Sequence, residues 1–298
     1  LIKFKNFDVN PETKKSIFNV ASFLTISTFA NVVWLKLDIF FLGLFHGSEK
    51  VGLYTPSYQT SFILTYIIIA ISSLFSPLVS EKVNSNLYSE LRLMYTDACR
   101  WCFYGNMPIA VTLLVCSIPF LGFFGEAYTN HETVLALKIL IPSFLFNSLI
   151  GSMPTNVLSM GGKHKLLSKL EIVMIPITIF IHIIFTKKYG VVGAAISASL
   201  TLMTIGVIRA FFVFKYFKCH VFKKDSLNIL IVFPVTYYIV INIYQLIHDY
   251  SALIILFIIF VLSVIIQFIV MFLLKDKLAN DILKILKFYY NLIINKSN

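Results

Sequence analysis

Ile254-Ile255-Leu256-Phe257-Ile258-Ile259-Phe260 is apolar on every side, and so is Ile67-Ile68-Ile69-Ala70-Ile71. A helix or strand with no polar face gains nothing from a water-facing side. Outward from these runs, eight apolar stretches fill almost the whole chain, at 17–45, 53–79, 99–124, 133–160, 168–186, 190–214, 227–248 and 251–274. Each is long enough to cross a hydrocarbon core about 30 Å thick, which takes roughly 20 residues of helix. Eight such segments in succession cannot share one water-soluble core. The composition agrees, with 58% hydrophobic and 13% charged residues and a mean hydropathy of +0.85. In lipid every backbone N–H and C=O must be paired internally, which leaves helices or a closed barrel. Barrel strands would alternate apolar and polar residues, and these runs do not. The expected class is all-α, a polytopic membrane protein with eight transmembrane helices.

The basic residues orient it. Connections taken alternately place 19 of the 25 Lys and Arg on one side, among them Lys14, Lys15, Arg92, Lys163, Lys223, Lys224 and Lys284. By the positive-inside rule that side, with both ends of the chain, is cytoplasmic. The net charge of +11 is therefore a topology signal, and no loop is long enough to gather it into a nucleic-acid surface. No removable signal sequence is visible. Asn10-Pro11-Glu12 reads as a helix start, with Asn as cap, Pro where no donor is needed and an acid at the positive end of the dipole. A capped helix entered so early suggests a piece of something longer; a gene product with Met immediately before Leu1 would refute that.

Enzyme constellations are missing. Cys99-Arg100-Trp101-Cys102 is half a zinc or redox site with no second half, and Cys219-His220 is equally isolated. His46, His131, His164, His182, His220 and His248 are scattered over several depths, so no metal centre is expected, and no cofactor. There is no Gly-rich phosphate loop and no nucleophile elbow. A glycan polymerase or ligase would carry a large extracytoplasmic loop, whereas the longest here runs from Gly125 to Val134.

Transport remains, and its residues should be polar groups inside the spans. Ser22, Thr25, Thr28, Asn31 and Asp38 recur along one face of the first span. Such a stripe must face helices or water, because a charge near the bilayer centre costs about 2.5–3.5 kcal/mol. Asp38 is either a hydrogen-bonding hub between helices or a participant in the transport cycle. Lys36, about 200° round the helix from Asp38, contacts another span or snorkels to the outer interface. Arg209, late in the sixth span, snorkels to headgroups or grips an anion in a cavity, since guanidinium binds phosphate oxygens in a fork. Arg100, at the cytoplasmic mouth of the third span, reads first as an anchor and second as a contact for an anionic substrate. Glu171 reads as a helix cap or a partner of Lys169.

Eight of the nine prolines, Pro56, Pro77, Pro108, Pro119, Pro142, Pro154, Pro176 and Pro234, lie in or at the ends of spans, where they bend helices. Gly193, Ser197 and Thr201 form a small-xxx-small seam. After Lys275, Leu278, Ile282, Ile285, Tyr289 and Leu292 recur at helical spacing opposite Lys277, Asp281, Lys284 and Lys287. That is an amphipathic basic helix suited to the anionic cytoplasmic leaflet or to the underside of the bundle.

An ordered set of short motifs resembles one family. It comprises Asp38-Ile39-Phe40-Phe41-Leu42-Gly43, Val51-Gly52-Leu53-Tyr54, Pro77, Phe124-Gly125-Glu126-Ala127-Tyr128, Asn156-Val157-Leu158-Ser159-Met160-Gly161-Gly162-Lys163, and Tyr189-Gly190-Val191-Val192-Gly193-Ala194-Ala195-Ile196-Ser197. Over residues 15–215 they are similar to the second half of polysaccharide flippases, the O-antigen and capsule repeat-unit exporters of the multidrug/oligosaccharidyl-lipid/polysaccharide exporter superfamily. The resemblance implies a bacterial inner-membrane transporter of two six-helix bundles alternating between inward- and outward-open states. It implies a polyprenyl-diphosphate-linked oligosaccharide as substrate, moved to the outer leaflet for lipopolysaccharide or capsule synthesis. An ion gradient or the membrane potential would reset the protein, and glycosyltransferases and a polymerase of the pathway would be its partners.

On that resemblance, residues 1–16 are a cytoplasmic lead-in, 17–215 the second six-helix bundle, 216–274 two additional helices, and 275–298 the basic amphipathic helix. A multidrug cation exporter of the same superfamily is the alternative, although it would want several acidic residues deep in the spans. A membrane enzyme of glycan assembly stands further off. One bundle cannot enclose the substrate, so these residues alone should not transport; reconstituted vesicles containing only this chain should show no flipping of lipid-linked sugar.

Overall fold

The computed structural model describes residues 11–221, 228–246, 251–281 and 283–284, with α1 side chains before residue 36 described only in part. Every regular element among them is helical: α1 (Pro11–Phe62), α2 (Leu64–Asn84), α3 (Tyr88–Val115), α4 (Ser117–Gly122), a 3-10 turn (Glu126–Thr129), α5 (His131–Ile150), α6 (Ser152–Met160), α7 (His164–Phe217), α8 (Ile229–Tyr244) and α9 (Ala252–Leu273). Four stretches among these residues are long and apolar enough to cross a membrane: Lys36–Asn84, His131–Met160, His164–Phe217 and Ala252–Leu273. α8 is a shorter apolar helix.

The two longest helices are hairpins. α1 leaves helical geometry at Gly47 (φ 82°, ψ 174°) and α7 at Gly190 (φ 56°, ψ −127°). Positive φ is open to glycine at little cost, which is why the chain turns there. The reversal shows in distances that a straight helix forbids. Tyr54 Oη donates to Asp38 Oδ2 at 2.7 Å, although sixteen helical residues would span about 24 Å at 1.5 Å per residue. Arg209 reaches Glu171 across 38 positions of sequence in the same way.

The two reversals lie together, since His46 Nε2 is 2.8 Å from the Thr186 carbonyl. Among the described residues α1 and α7 share the most extensive interface. At the Gly190 bend Ser197 Oγ meets His182 Nδ1 at 2.7 Å. Gly193 has no room there: a Cβ would stand 2.0 Å from the Phe185 carbonyl oxygen.

Only some prolines interrupt a helix. Pro119 lies three residues past the α3–α4 break at Cys116, and Pro154 three past the α5–α6 break at Gly151. A proline ring collides with the carbonyl four residues earlier and supplies no donor to it. Pro56, Pro77, Pro108, Pro142, Pro176 and Pro234 sit inside continuous helices. The turn between α2 and α3 is clasped by Lys82, whose ammonium lies 3.0 Å from both Glu81 and Glu90.

α8 and α9 pair with each other and pack on α3. Gln267 Nε2 donates to the Tyr104 carbonyl at 3.0 Å, and Ser263 Oγ to that of Pro108 at 3.3 Å. Beyond α9 a helix starts at Lys277, and its Leu278 and Ala279 are buried against the bundle. The start of the tail therefore packs on protein, while the amphipathic pattern at Ile282 and from Ile285 onward lies outside the described residues. Asn10 does too. All four cysteines are buried free thiols. Gly193→Ala should force the legs of α7 apart and destabilise the protein by about 1–3 kcal/mol, the usual cost of overpacking. Thermal denaturation followed by size-exclusion chromatography in detergent checks it.

Candidate functional site

A cavity of about 510 Å³ opens between α2, the α5–α6 break and the second leg of α7 (191–217). Its α2 wall carries Thr65, Ile68, Ile69, Ser72, Ser73 and Ser76, which helical spacing brings to one side. Phe144 and Asn147 come from α5, Ser152, Thr155 and Asn156 from α6, and Leu202 and Arg209 from α7.

Two glycines set this geometry. A Cβ on Gly206 would lie 3.1 Å from the Gly151 Cα, so α7 meets the α5–α6 break backbone to backbone. Leu202 and Arg209, about a turn on either side of Gly206, are thereby held at the cavity wall. At Gly151 a Cβ would fall 1.7 Å from Asn147 Oδ1; the amide fills the space a side chain would take, with its Nδ2 3.2 Å from Ser152 Oγ.

The wall is polar in a particular way. Ser73 and Ser76 give their hydroxyl protons to the Ala70 and Ser72 carbonyls, at 2.8 and 2.7 Å. Their oxygens are left as acceptors. Donors come from the Asn156 Nδ2, which has no hydrogen-bond partner among the described residues, and from Arg209. That guanidinium is 5% exposed and pairs through Nη2 with Glu171 Oε1 at 2.5 Å. The site can thus bind an anionic group beside hydroxyl donors. Among the described residues no group of three or more His, Cys, Asp or Glu could hold a metal ion.

A second cavity, of about 350 Å³, holds Lys36 with Tyr58, Gln59, Thr60, Phe62, Ile63, Tyr66, Phe120 and Phe124. Phe62 lines both. The rings of Tyr58 and Phe62 stand edge-on to Phe144, with centroids 6.1 and 6.2 Å away, and Tyr66 leans on Phe62 at 6.2 Å. This aromatic cluster partitions the two spaces.

The residues singled out in the sequence fall into different places. Arg209 lines the larger cavity; it does not snorkel, because Glu171 on the facing leg neutralises it. Glu171 correspondingly serves as the partner of Arg209. Lys36 lies in the second cavity with its ammonium 5.3 Å over the Tyr58 ring. Asp38 is 2% exposed and lines neither cavity; it accepts from Tyr54 and, at 2.8 Å, from the Ile39 N–H.

Arg100 is the plainest correction. It is neither an anchor at the membrane surface nor a contact open to substrate. It is 2% exposed and forms an ion pair with Asp276. Asp276 also takes the Tyr104 hydroxyl at 3.1 Å and the Leu278 N–H at 3.0 Å. The side chain of Asn31 lies outside the described residues. Thr25 and Thr28 are exposed while Asp38 is buried, so the polar face of α1 does not continue into the surroundings of Asp38. Sequence reasoning missed Asn147, Ser152, Thr155 and Asn156, whose recurrence within one apolar stretch was the available signal.

Comparison with known proteins agrees with this architecture. The family described as "Polysaccharide biosynthesis protein" matches residues 5–131. The lipid II flippase MurJ of Thermosipho africanus is 30% identical over 181 residues, 59% of this chain and 37% of that protein. The probable low-salt glycan biosynthesis flippase Agl15 of Haloferax volcanii is 22% identical over 199 residues, 66% of this chain and 41% of that protein. A solved structure of the lipid II flippase MurJ in an inward closed conformation shares the fold, with a TM-score of 0.60 at 19% identity, over 95% of this chain and 58% of that one. The chain thus spans roughly two fifths of the curated relatives it matches. These relatives are flippases rather than enzymes, and the resemblance to polysaccharide flippases holds.

Removing one member of a buried ion pair typically costs about 3–5 kcal/mol, because the other charge is left without a partner. Asp276→Ala should therefore lower the melting temperature sharply. Adding Arg100→Met should recover most of the loss, as a thermal-shift series on the single and double variants would show.

Proposed function

We propose that this relative of the polysaccharide flippases forms one bundle, with an added helix pair, of a transporter that moves a polyprenyl-diphosphate-linked oligosaccharide. Movement runs from the cytoplasmic to the outer leaflet of a bacterial inner membrane, by alternating access. The observation that carries this reading is the cavity in an apolar bundle whose donors are Arg209 and Asn156 and whose acceptors are serine oxygens. Diphosphate needs donors and sugar hydroxyls need acceptors.

The legs of α1 and α7, the broken pairs α3–α4 and α5–α6, α2 as the continuation of α1, and α8 and α9 supply eight crossings. Both ends of the chain then lie with the basic connections in the cytoplasm. The first six crossings make the second bundle of the family, and the remainder of the cavity comes from a first bundle outside this chain.

Arg209 would move between two partners. In the unloaded protein Glu171 holds it; a diphosphate, with more oxygens in the geometry of the guanidinium fork, would draw it away. On release Glu171 takes it back, so the charge is never left alone in a medium that penalises it. Asp38 and Tyr54 brace the α1 hairpin during rocking. An ion gradient or the membrane potential resets the cycle, and pathway glycosyltransferases and a polymerase flank it. A multidrug cation exporter fits less well, because the residues lining the two cavities include no carboxylate.

The test is made in full-length protein, in cells lacking their own copy of the gene. Arg209→Met with Glu171→Gln removes the ion pair and leaves neither charge stranded. The double variant should accumulate at normal levels yet reduce surface glycan by at least about tenfold, a loss of about 1.4 kcal/mol or more. Asp38→Asn, which still accepts from Tyr54, should keep most of it. Normal glycan from the double variant would remove Arg209 from the transport path.

A further inference from the structure

The geometry points to a second, distinct subsite: we propose that the cavity at Lys36 binds the saccharide portion of the cargo and selects a sugar that bears a carboxylate. The inference rests on the reading of the protein as a glycolipid transporter and assigns a task to the space that the diphosphate reading leaves unused.

The cavity is built of two kinds of surface. Tyr58, Phe62 and Tyr66 form one wall, and Phe120 of α4 and Phe124 in the turn after it complete the lining. Flat apolar rings with hydroxyl edges suit the C–H faces of a pyranose, while its hydroxyls need side-chain partners at the margins. Those partners are present. Gln59 offers an amide, and the hydroxyl of Thr60, a residue 2% exposed, has no hydrogen-bond partner among the described residues. A buried hydroxyl in that condition is a vacancy for a ligand hydroxyl, because an unmade hydrogen bond in a low-dielectric site is costly. The volume of about 350 Å³ falls in the range of about 300–1,000 Å³ found for small-molecule sites.

Lys36 adds the charge selection. It lies eleven residues before the Gly47 reversal, about 16 Å along the helix, too deep to be left against lipid without cost. The Tyr58 ring holds the ammonium at 5.3 Å, yet no carboxylate pairs with it among the described residues. The nearby Asp38 is engaged by Tyr54 and the Ile39 N–H instead. An ammonium is a point charge and fits a single carboxylate, whereas the forked donor suited to a diphosphate is Arg209, in the other cavity. The aromatic cluster around Phe62 divides the two, as would be needed for sugar on one side and phosphates on the other.

Isothermal titration calorimetry on the full-length protein in nanodiscs tests this with three probes: digalacturonate, its neutral counterpart galactobiose, and inorganic diphosphate. Digalacturonate should bind about tenfold more tightly than galactobiose. Lys36→Gln should abolish that preference while galactobiose binding persists, and Thr60→Val should weaken both sugars several-fold. Arg209→Met with Glu171→Gln, which strands neither charge, should affect diphosphate alone. Equal affinity for the two sugars, no binding of either, or a preference that survives Lys36→Gln would overturn the proposal. So would loss of diphosphate binding in Lys36→Gln, which would make Lys36 a phosphate contact. Failure of diphosphate to bind wild-type protein, with the carboxylate preference intact, would instead count against the role given to Arg209 and leave this subsite standing.

Discussion

A charge placed among apolar helices needs a counterpart, in the protein or in what it binds, and this requirement organises the molecule. Asp38 with Tyr54 joins the two legs of α1, Glu171 with Arg209 the two legs of α7, and Arg100 with Asp276 the end of α9 to α3. Each contact closes a different reversal of the chain. None is valuable because ion pairs are intrinsically strong; desolvation consumes much of what attraction returns. Their force is conditional. Once the charge is inside, any arrangement that separates the partners is far worse, so they select one packing from the many that apolar helices would otherwise accept.

Helix breaks supply what pairing cannot, an interior space. Continuous apolar helices pack along their length and leave little room. The interruption at Gly151, one turn before Pro154, lets α7 approach backbone to backbone through Gly206 and leaves Asn147, Ser152 and Asn156 turned towards a cavity. Freed backbone and polar side chains are tolerated at such depth where they line a wet or protein-covered space. The small residues and the proline thus act jointly: one permits the contact, the other prevents the helix from sealing it. Bends elsewhere do not have this consequence. Pro142 and Pro176 lie inside helices that run on past them.

The solvent and the class of this protein were legible in single segments. An apolar run such as 254–260 has no polar face in any register, and the backbone-pairing rule makes it a helix without reference to any neighbour. Positions of reversal were legible only as gaps between apolar stretches, at 46–52 and 187–189; the glycines that turn the chain, Gly47 and Gly190, emerge from the backbone geometry. Partners were not legible. Glu171 read as a cap or a partner of Lys169 because only its neighbours in sequence were in view, and Arg100 as an anchor because it stands at a helix mouth. Their counterparts, Arg209 and Asp276, are 38 and 176 positions away. One-dimensional pattern reports which face of a helix is polar; it carries no record of which other helix turns to meet that face. Hydrophobic period is a property of one helix and survives in isolation, whereas the pairing of buried charges is a property of the packed assembly, fixed only when every helix has excluded its neighbours from all other positions.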